Sequence, residues 1–350
     1  MMTSMDHAKS KDLRNTGGRA LVVIPCLNEA EHLEDLIATL LGDAGRTEMR
    51  IVVADGGSTD GSQAIVRRLM EHDRRLVLLD NRQEIQSAGV NKAVDAYGNA
   101  DFLIRIDAHA WYPPRYCEKL LDAQFETGAD SIVVSMHAEG RSCFQRAAAA
   151  AQNSILGNGG SPHRNKTAGR WVDHGHHALM TIACFKAVGG YDESFSHNED
   201  AELDLRLRTR GFRIFLTEKV SVTYYPRRAL AGLFRQYFNF GGGRARNFLK
   251  HRQWPKLRQM LPLAVAPALG LALLAPLSLA FTFPMLVWAT CCIGYGVWLG
   301  VTAREACAAV AGVAAMTMHL GWSIGFFAHL LRRGLRTSGG PRGLGAQAAP

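Results

Sequence analysis

Asp107-Ala108-His109 ends an apolar run, Phe102-Leu103-Ile104-Arg105-Ile106. A carboxylate and an imidazole two residues apart at a strand end can share one divalent cation, Mn²⁺ or Mg²⁺, and such a cation neutralises a departing diphosphate. The plainer reading is an aspartate turn beside a surface histidine. Asn198-Glu199-Asp200 heads a stretch with leucines at 203, 205 and 207, closed by Gly211. Acids in a first helical turn follow from capping and the helix dipole alone. Asp200 projecting into a cleft would instead serve as a general base. Asp55 ends another apolar run and reads either as a turn residue or as an acceptor for a nucleobase N–H. His174, His176 and His177 cluster at a spacing that allows a metal, or equally loop residues beside an acceptor pocket. Cys26 reads as a small packing residue.

The elements that must position these residues are legible in the apolar runs. Leu21–Ile24, Ile51–Ala54, Leu76–Leu79 and Phe102–Ile106 are short and continuous, as in strands buried on both faces. Between them come helical patterns: Leu33, Leu36, Ile37, Leu40 and Leu41 after Asn28-Glu29, a helix through Met70 after the turn Gly56–Gly61, and another from about Ser87 to Tyr97. Strands alternating with helices in this way predict an α/β fold with a mixed, mostly parallel sheet. Ligands of such sheets sit at the carboxyl ends of the strands, where Pro25 to Glu29, Asp55 and Asp107 all fall. Ala147–Ala151 reads as plain helix. Neither G-x-x-x-x-G-K-[ST] nor G-x-G-x-x-G occurs in the place a P-loop or dinucleotide fingerprint needs.

In order along the chain, Pro25-Cys26-Leu27-Asn28-Glu29, Val53–Ser62, Ile106–His109, Gly189–Glu193 and Asn198–Leu203 resemble the inverting family 2 glycosyltransferases of GT-A fold, over roughly residues 19 to 250. Within that family, Asp107-Ala108-His109, the stretch Asp173–His177 and an apolar tail look most like the ExoA-type glucosyltransferases of succinoglycan biosynthesis. The resemblance implies transfer of glucose from UDP-glucose, with β-linkage, to a polyprenyl-diphosphate-linked sugar in exopolysaccharide assembly. It implies that Pro25, Cys26, Glu29, Asp55 and Asp107 line the nucleotide sugar, with Asp55 on the uracil. Asp107 and His109 would hold the metal, His109 standing where most members have a second acid; imidazole suits Mn²⁺ better than Mg²⁺. Asp200 would be the base, with Glu199, His176, His177, Gln236, Arg244 and Arg246 toward the acceptor or its phosphates. The Gln-x-x-Arg-Trp of processive synthases is not matched at Gln236–Phe240, which implies one sugar added per acceptor. A polyprenyl monophosphate acceptor, or a catalytically silent membrane scaffold on the same fold, are the alternative readings.

Charge and hydropathy place the chain at a membrane. Of 40 Lys/Arg, nine lie between Arg227 and Arg258 with no acid among them, and the rest of the chain is balanced against its 31 Asp/Glu. The basic excess is therefore one local belt rather than a nucleic-acid-binding surface. Residues 259–303 and 306–331 carry no Asp, Glu, Lys or Arg, long enough for two spans and one span at about 20 residues each. Arg332, Arg333, Arg336 and Arg342 follow. Three full spans would put the two basic clusters on opposite sides, against the preference of Lys/Arg for the cytoplasm. The stretch Leu230–Trp254 mixes aromatic and basic residues, as in a segment lying on an inner leaflet. The first residues lack an apolar signal core, and the seven scattered cysteines suggest neither a disulfide framework nor a zinc site. The expected organisation is a flexible segment to 18, a cytoplasmic glycosyltransferase domain 19–226, a basic interfacial segment 227–258, two to three membrane helices within 259–331 and a flexible basic tail 332–350. The expected partners are a UDP-sugar, a polyprenyl-linked saccharide, inner-leaflet lipid and other polysaccharide-assembly enzymes.

Overall fold

The computed structural model describes residues 18–43, 47–161, 168–253 and 256–338. Residues 1–17 and 339–350, which hold most of the two expected terminal segments and Arg342, lie outside the described residues, as does Trp254. Eight strands form one sheet in the order β3-β2-β1-β4-β7-β5-β8-β6. They are β1 (Arg19–Cys26), β2 (Glu48–Asp55), β3 (Leu76–Asp80), β4 (Phe102–Arg105), β5 (Ser131–Ala138), β6 (Arg170–Val172), β7 (His176–Thr181) and β8 (Ile214–Tyr224). β7 runs antiparallel between β4 and β5, and β6 antiparallel to β8; every other pairing is parallel.

Successive strand residues point to opposite faces, so the continuous apolar runs require helices on both sides. On one face, α1 (Ala30–Gly42), α2 (Ser62–Met70) and α4 (Tyr116–Thr127) cover Val22, Ile24, Ile51, Val53 and Ile104 with Leu33, Ile37, Leu40, Val66 and Leu120. On the other, α3 (Gln86–Tyr97), α6 (Ile182–Ala187) and α7 (Glu199–Thr209) cover Leu21, Val23, Val52 and Leu103. The strand order reverses at β1, which has β2 on one side and β4 on the other. The loops after β1, β2 and β4 therefore open a crevice at the carboxyl ends of the strands.

Two of those loops are stitched together. Asn28 adopts a left-handed conformation (φ 57°), and its Oδ1 accepts from Thr59 N at 2.8 Å. The turn Gly56–Gly61 serves the first helix as well as the one that follows it. Asp60 accepts from Ala30 N at 2.9 Å and, through its other oxygen, from Ser62 N at 3.0 Å, so one carboxylate caps both α1 and α2.

The basic stretch folds as α8 (Leu230–His251). Much of its charge serves the domain itself: Lys250 meets Asp192 at 2.7 Å and Glu202 at 2.5 Å, and Lys256 meets Asp173 at 2.7 Å. Beyond it lies the region expected to hold two to three membrane helices. Residues 257–272 break into a single turn Leu257–Met260, a 3₁₀ turn and α9 (Val265–Ala272), too short to cross a bilayer. Among the described residues, only α10 (Phe283–Ala303) and α11 (Ala311–Ser338), each with the 3₁₀ turn before it, are long and apolar enough to be candidate spans. Pro284 in the first turn of α10 marks the break expected near Phe281–Pro284.

α11 is seamed to the domain along its length. Ala311, Ala314, Ala315 and Met318 pack on Ala148 and Ala151 of α5 (Cys143–Asn153), so the helix expected at Ala147–Ala151 forms and also serves as a docking face. Cys143 and Cys307 form a disulfide, and Glu305 pairs with Arg146 at 3.2 Å. The sequence suggested no disulfide framework, and this is a single pair whose members lie 164 residues apart, so no local spacing signals it. Further along, Gly321 and Gly325 admit the α8 backbone, and a Cβ on Gly325 would overlap the Phe238 carbonyl. Small residues four apart are what allow such close helix contact in an apolar setting. We expect Gly325→Val to force α8 and α11 apart, costing about 1–3 kcal/mol or more by overpacking. Thermal unfolding in detergent should show a clearly lower midpoint; an unchanged one would contradict this crossing.

Candidate active site

The site is built where β4, β7 and the first turn of α7 converge. Arg105, the last residue of β4, points into the interior with its side chain 5% exposed. A guanidinium cannot shed its charge, so burying it requires acceptors around it. It has four: Asp200, in a short contact; the Tyr191 hydroxyl at 3.2 Å; Asp107 at 3.4 Å; and Glu199 at 3.7 Å. Its plane also lies over the Tyr191 ring, 5.8 Å from the centroid.

Histidines from β7 complete the network. His177 is fully buried. Its Nδ1 lies 2.7 Å from the Tyr191 hydroxyl and its Nε2 2.8 Å from Asp204 Oδ1. Asp204 stands one helical turn after Asp200, so both carboxylates share a face of α7. His174 reaches Asp204 Oδ2 at 2.7 Å. Gly175 between them is obligatory, because a Cβ there would collide with Val133 of β5. His176 lies between the proposed base and the proposed metal ligand, 3.5 Å from Asp107 and 3.9 Å from Asp200. Asn91 of α3 fixes Tyr191 by bonding its backbone N–H and C=O, each at 2.9 Å.

These neighbours set the charge states. Burial would push Asp200 up, but Arg105, then His177 and His176, overcome it and hold the carboxylate well below its ordinary range. Asp107 is likewise held low by Arg105 and His176 against its burial. Glu199 goes the other way: burial and the adjacent Asp200 charge push it up to about 7. One arginine therefore keeps two carboxylates ionised while a third shares a proton.

On the crevice side, Asp55 is buried, and its Oδ2 accepts from Gly57 N at 2.9 Å, Ser58 N at 3.0 Å and Gln63 Nε2 at 2.7 Å. Its Oδ1 is buried without a partner. His109 Nδ1 lies 3.2 Å from Glu29, and that bond raises the imidazole above its ordinary range. Asp107 Oδ1 accepts from Gln86 at 2.8 Å. Pro25 and Cys26 close β1, paired in register with Ala54 and Asp55. Burial pushes the Cys26 thiol up to about 11, so it stays a neutral packing group.

Asp107, Glu199, Asp200, His176 and His177 are thus brought together, with Asp55, Glu29 and His109 along the adjoining crevice. Three expectations change in detail. His177, with both ring nitrogens bonded, has none left for an acceptor and holds Tyr191 and Asp204 instead. Gln236 of α8 donates to the Tyr224 hydroxyl at the end of β8 at 2.7 Å, its Oε1 buried and unpartnered. Arg244 and Arg246 do not face a common anion: they line two different cavities, and Arg246 donates to the Ser194 carbonyl. Among the described residues no group of three or more His, Cys, Asp or Glu is arranged to hold a metal ion by itself.

Arg105, Tyr191, Asp204 and Gln86 had no role in the sequence reading. The available signal was Arg105 itself, a charge within an apolar strand run, which a buried strand tolerates only when partnered.

Glu199 gives a test with a definite sign. Its folded value, about 7, exceeds its ordinary 4.5, so between those pH values the native state binds more protons than the unfolded chain. Stability should then fall as pH rises through that window. Glu199→Gln should be more stable than wild type at pH 8, with the gap closing toward pH 5, in denaturant titrations at both pH values. A pH-independent gap would contradict the assigned environment.

The comparisons with known proteins agree with this architecture. The profile described as "Glycosyl transferase family 2" matches residues 21–188. The chain is 57% identical over 317 residues to the succinoglycan biosynthesis protein ExoA of Rhizobium meliloti (strain 1021), covering 90% of this chain and 96% of that one. Its fold is like that of the mannosyltransferase PcManGT from Pyrobaculum calidifontis, solved in complex with GDP-Man and Mn²⁺, with a TM-score of 0.57 at 17% identity over 94% of this chain and 95% of that one. With a mixed, mostly parallel GT-A sheet and a relative this close over nearly its whole length, the chain belongs to glycosyltransferase family 2.

Proposed function

We propose that the protein is an inverting glycosyltransferase that moves a hexose, glucose from UDP-glucose, onto a polyprenyl-diphosphate-linked saccharide during succinoglycan-type exopolysaccharide assembly. The observation that carries this reading is the shared arginine. Arg105 places Asp200, ionised, beside Asp107, so a base and a donor-side carboxylate face one crevice. The succinoglycan assignment rests on the Rhizobium relative.

The nucleoside lies along the loops after β1 and β2. The unpartnered Asp55 Oδ1 is an acceptor for the imino N–H of uracil, and its other oxygen is held by backbone N–H groups, so the acceptor is fixed in place. Glu29, Pro25 and Cys26 line the same groove. The donor set also fits a divalent cation: one carboxylate, Asp107, and one imidazole, His109, leave most positions for diphosphate oxygens and water, as hard cations prefer. Such an ion would supply charge neutralisation of the departing diphosphate. Asp200 accepts the acceptor hydroxyl's proton as that oxygen bonds to the anomeric carbon; the bond from carbon to the diphosphate oxygen breaks on the opposite face, and UDP departs. Glu199 and His176 flank the acceptor, while Arg105, His177, Tyr191 and Asp204 position the base.

Attachment is through α10 and α11, at the inner membrane, with residues 19–226 toward the cytoplasm. The basic residues near both ends of the apolar region favour that side. The large exposed side chains of α10, among them Phe283, Leu286, Ile293, Trp298 and Val301, suit lipid contact.

Calorimetric titration of the full-length protein with UDP, GDP and dTDP, with and without Mn²⁺, tests the donor half. We expect UDP to bind best and more tightly with Mn²⁺. Asp55→Ala should weaken UDP by about 10- to 100-fold, the scale of a hydrogen bond to a charged group. No nucleotide binding at all would move the protein to a silent scaffold; EDTA-insensitive binding and turnover would remove the metal role of Asp107 and His109.

A further inference from the structure

A cavity of about 550 Å³ lies between α8, the segment 257–265 and the two apolar helices. Its lining is divided by chemistry. Arg244 and Arg258 supply cationic groups, while Val265, Trp288, Met318 and Trp322 supply an apolar wall, the last three from α10 and α11. Arg244 Nε is sealed from solvent and has no hydrogen-bond partner. Burial, with the nearby Arg258 charge, pulls the Arg244 guanidinium down to about 10. Two guanidiniums that repel one another, one with a desolvated and unbonded N–H, are costly unless an anion with several acceptors joins them. Phosphate oxygens match the guanidinium fork.

The cavity also adjoins the reaction site. Asn198 lines it and directly precedes Glu199 and Asp200. His174 lines it too and bonds Asp204 on the same face of α7. An occupant gripped by the arginines therefore has its sugar-bearing end toward Asp200 and its other end along helices that face the bilayer.

We propose that this cavity seats a lipid diphosphate, with Arg244 and Arg258 gripping the phosphates and the first isoprenoid units lying against Trp288, Met318 and Trp322. The inference rests on the function proposed above for the identity of the attached sugar, and it replaces the pairing of Arg244 with Arg246. Arg246 is turned away, over the Phe195 ring at 4.9 Å.

The test uses the full-length protein in nanodiscs, titrated with farnesyl diphosphate, inorganic pyrophosphate and UDP. Farnesyl diphosphate should bind at least about tenfold more tightly than pyrophosphate, because the apolar wall adds to the anion contact. R244Q and R258Q should each weaken farnesyl diphosphate by about 10- to 100-fold and leave UDP unchanged, which also reports an intact fold. R258Q, on the single turn Leu257–Met260, answers the question if R244Q does not fold. Leu261→Trp, narrowing the apolar side, should weaken farnesyl diphosphate and spare pyrophosphate. Unchanged binding in both arginine variants would overturn the proposal, as would pyrophosphate binding as tightly as farnesyl diphosphate. Loss of UDP binding by the wild type, with the lipid results as expected, would instead sink the glycosyltransferase reading and leave the cavity assignment standing.

Discussion

Arg105 is a permanent charge inside the sheet, and the arrangement around it follows from the need to compensate it. Breaking a buried ion pair by removing one partner costs about 3–5 kcal/mol, so the elements that carry the partners are held against β4. Asp107 comes from the same strand end, Glu199 and Asp200 from the first turn of α7, and Tyr191 from the loop between α6 and α7. The same requirement fixes which carboxylates stay charged. Asp200 and Asp107 share the guanidinium and remain ionised; Glu199, further from it and beside Asp200, retains a proton near neutrality.

The sheet order makes this convergence possible. β7 inserts antiparallel between β4 and β5, so His176 and His177 at its start lie beside the end of β4. The crevice created where the order reverses at β1 then receives the loops after β1, β2 and β4. Side chains from those loops and from α7 meet at one end of the sheet, although residues 29 and 204 are far apart in the chain.

The first half of the fold was legible because its signals are local. Continuous apolar runs gave β1 to β4, and i, i+3, i+4 spacing gave α1 within a residue or two. Asp55, Asp107 and Asp200 were legible because strand ends and helix starts mark where side chains enter a crevice. The register of β5 to β8 was not, since antiparallel insertion depends on pairing between distant segments. His177 looked like a loop residue because a buried histidine bonded at both nitrogens has the same local sequence as an exposed one. The partners of Arg105, and the Cys143–Cys307 pair, are long-range contacts with no spacing to announce them. In the apolar tail, composition gave the charge-free length but not its division, because the breaks between residues 257 and 282 come from short turns and packing on α11.

The tail and the domain form one packed unit rather than an enzyme on a tether. α11 lies along α5 and α8, and the cavity between them reaches from apolar helices to Asn198, the residue that precedes α7. The central claim is that Arg105 holds Asp200 as the ionised base while Glu199 serves a lesser role. Turnover of UDP-glucose with a polyprenyl-diphosphate-linked acceptor, measured across pH for wild type, Asp200→Asn and Glu199→Gln, tests it most directly. The account predicts a loss of about 100-fold or more in kcat for Asp200→Asn, the lower end of what a general base contributes, with Glu199→Gln retaining most of the activity. Near-normal turnover in Asp200→Asn with activity abolished in Glu199→Gln would contradict it and assign the base to Glu199.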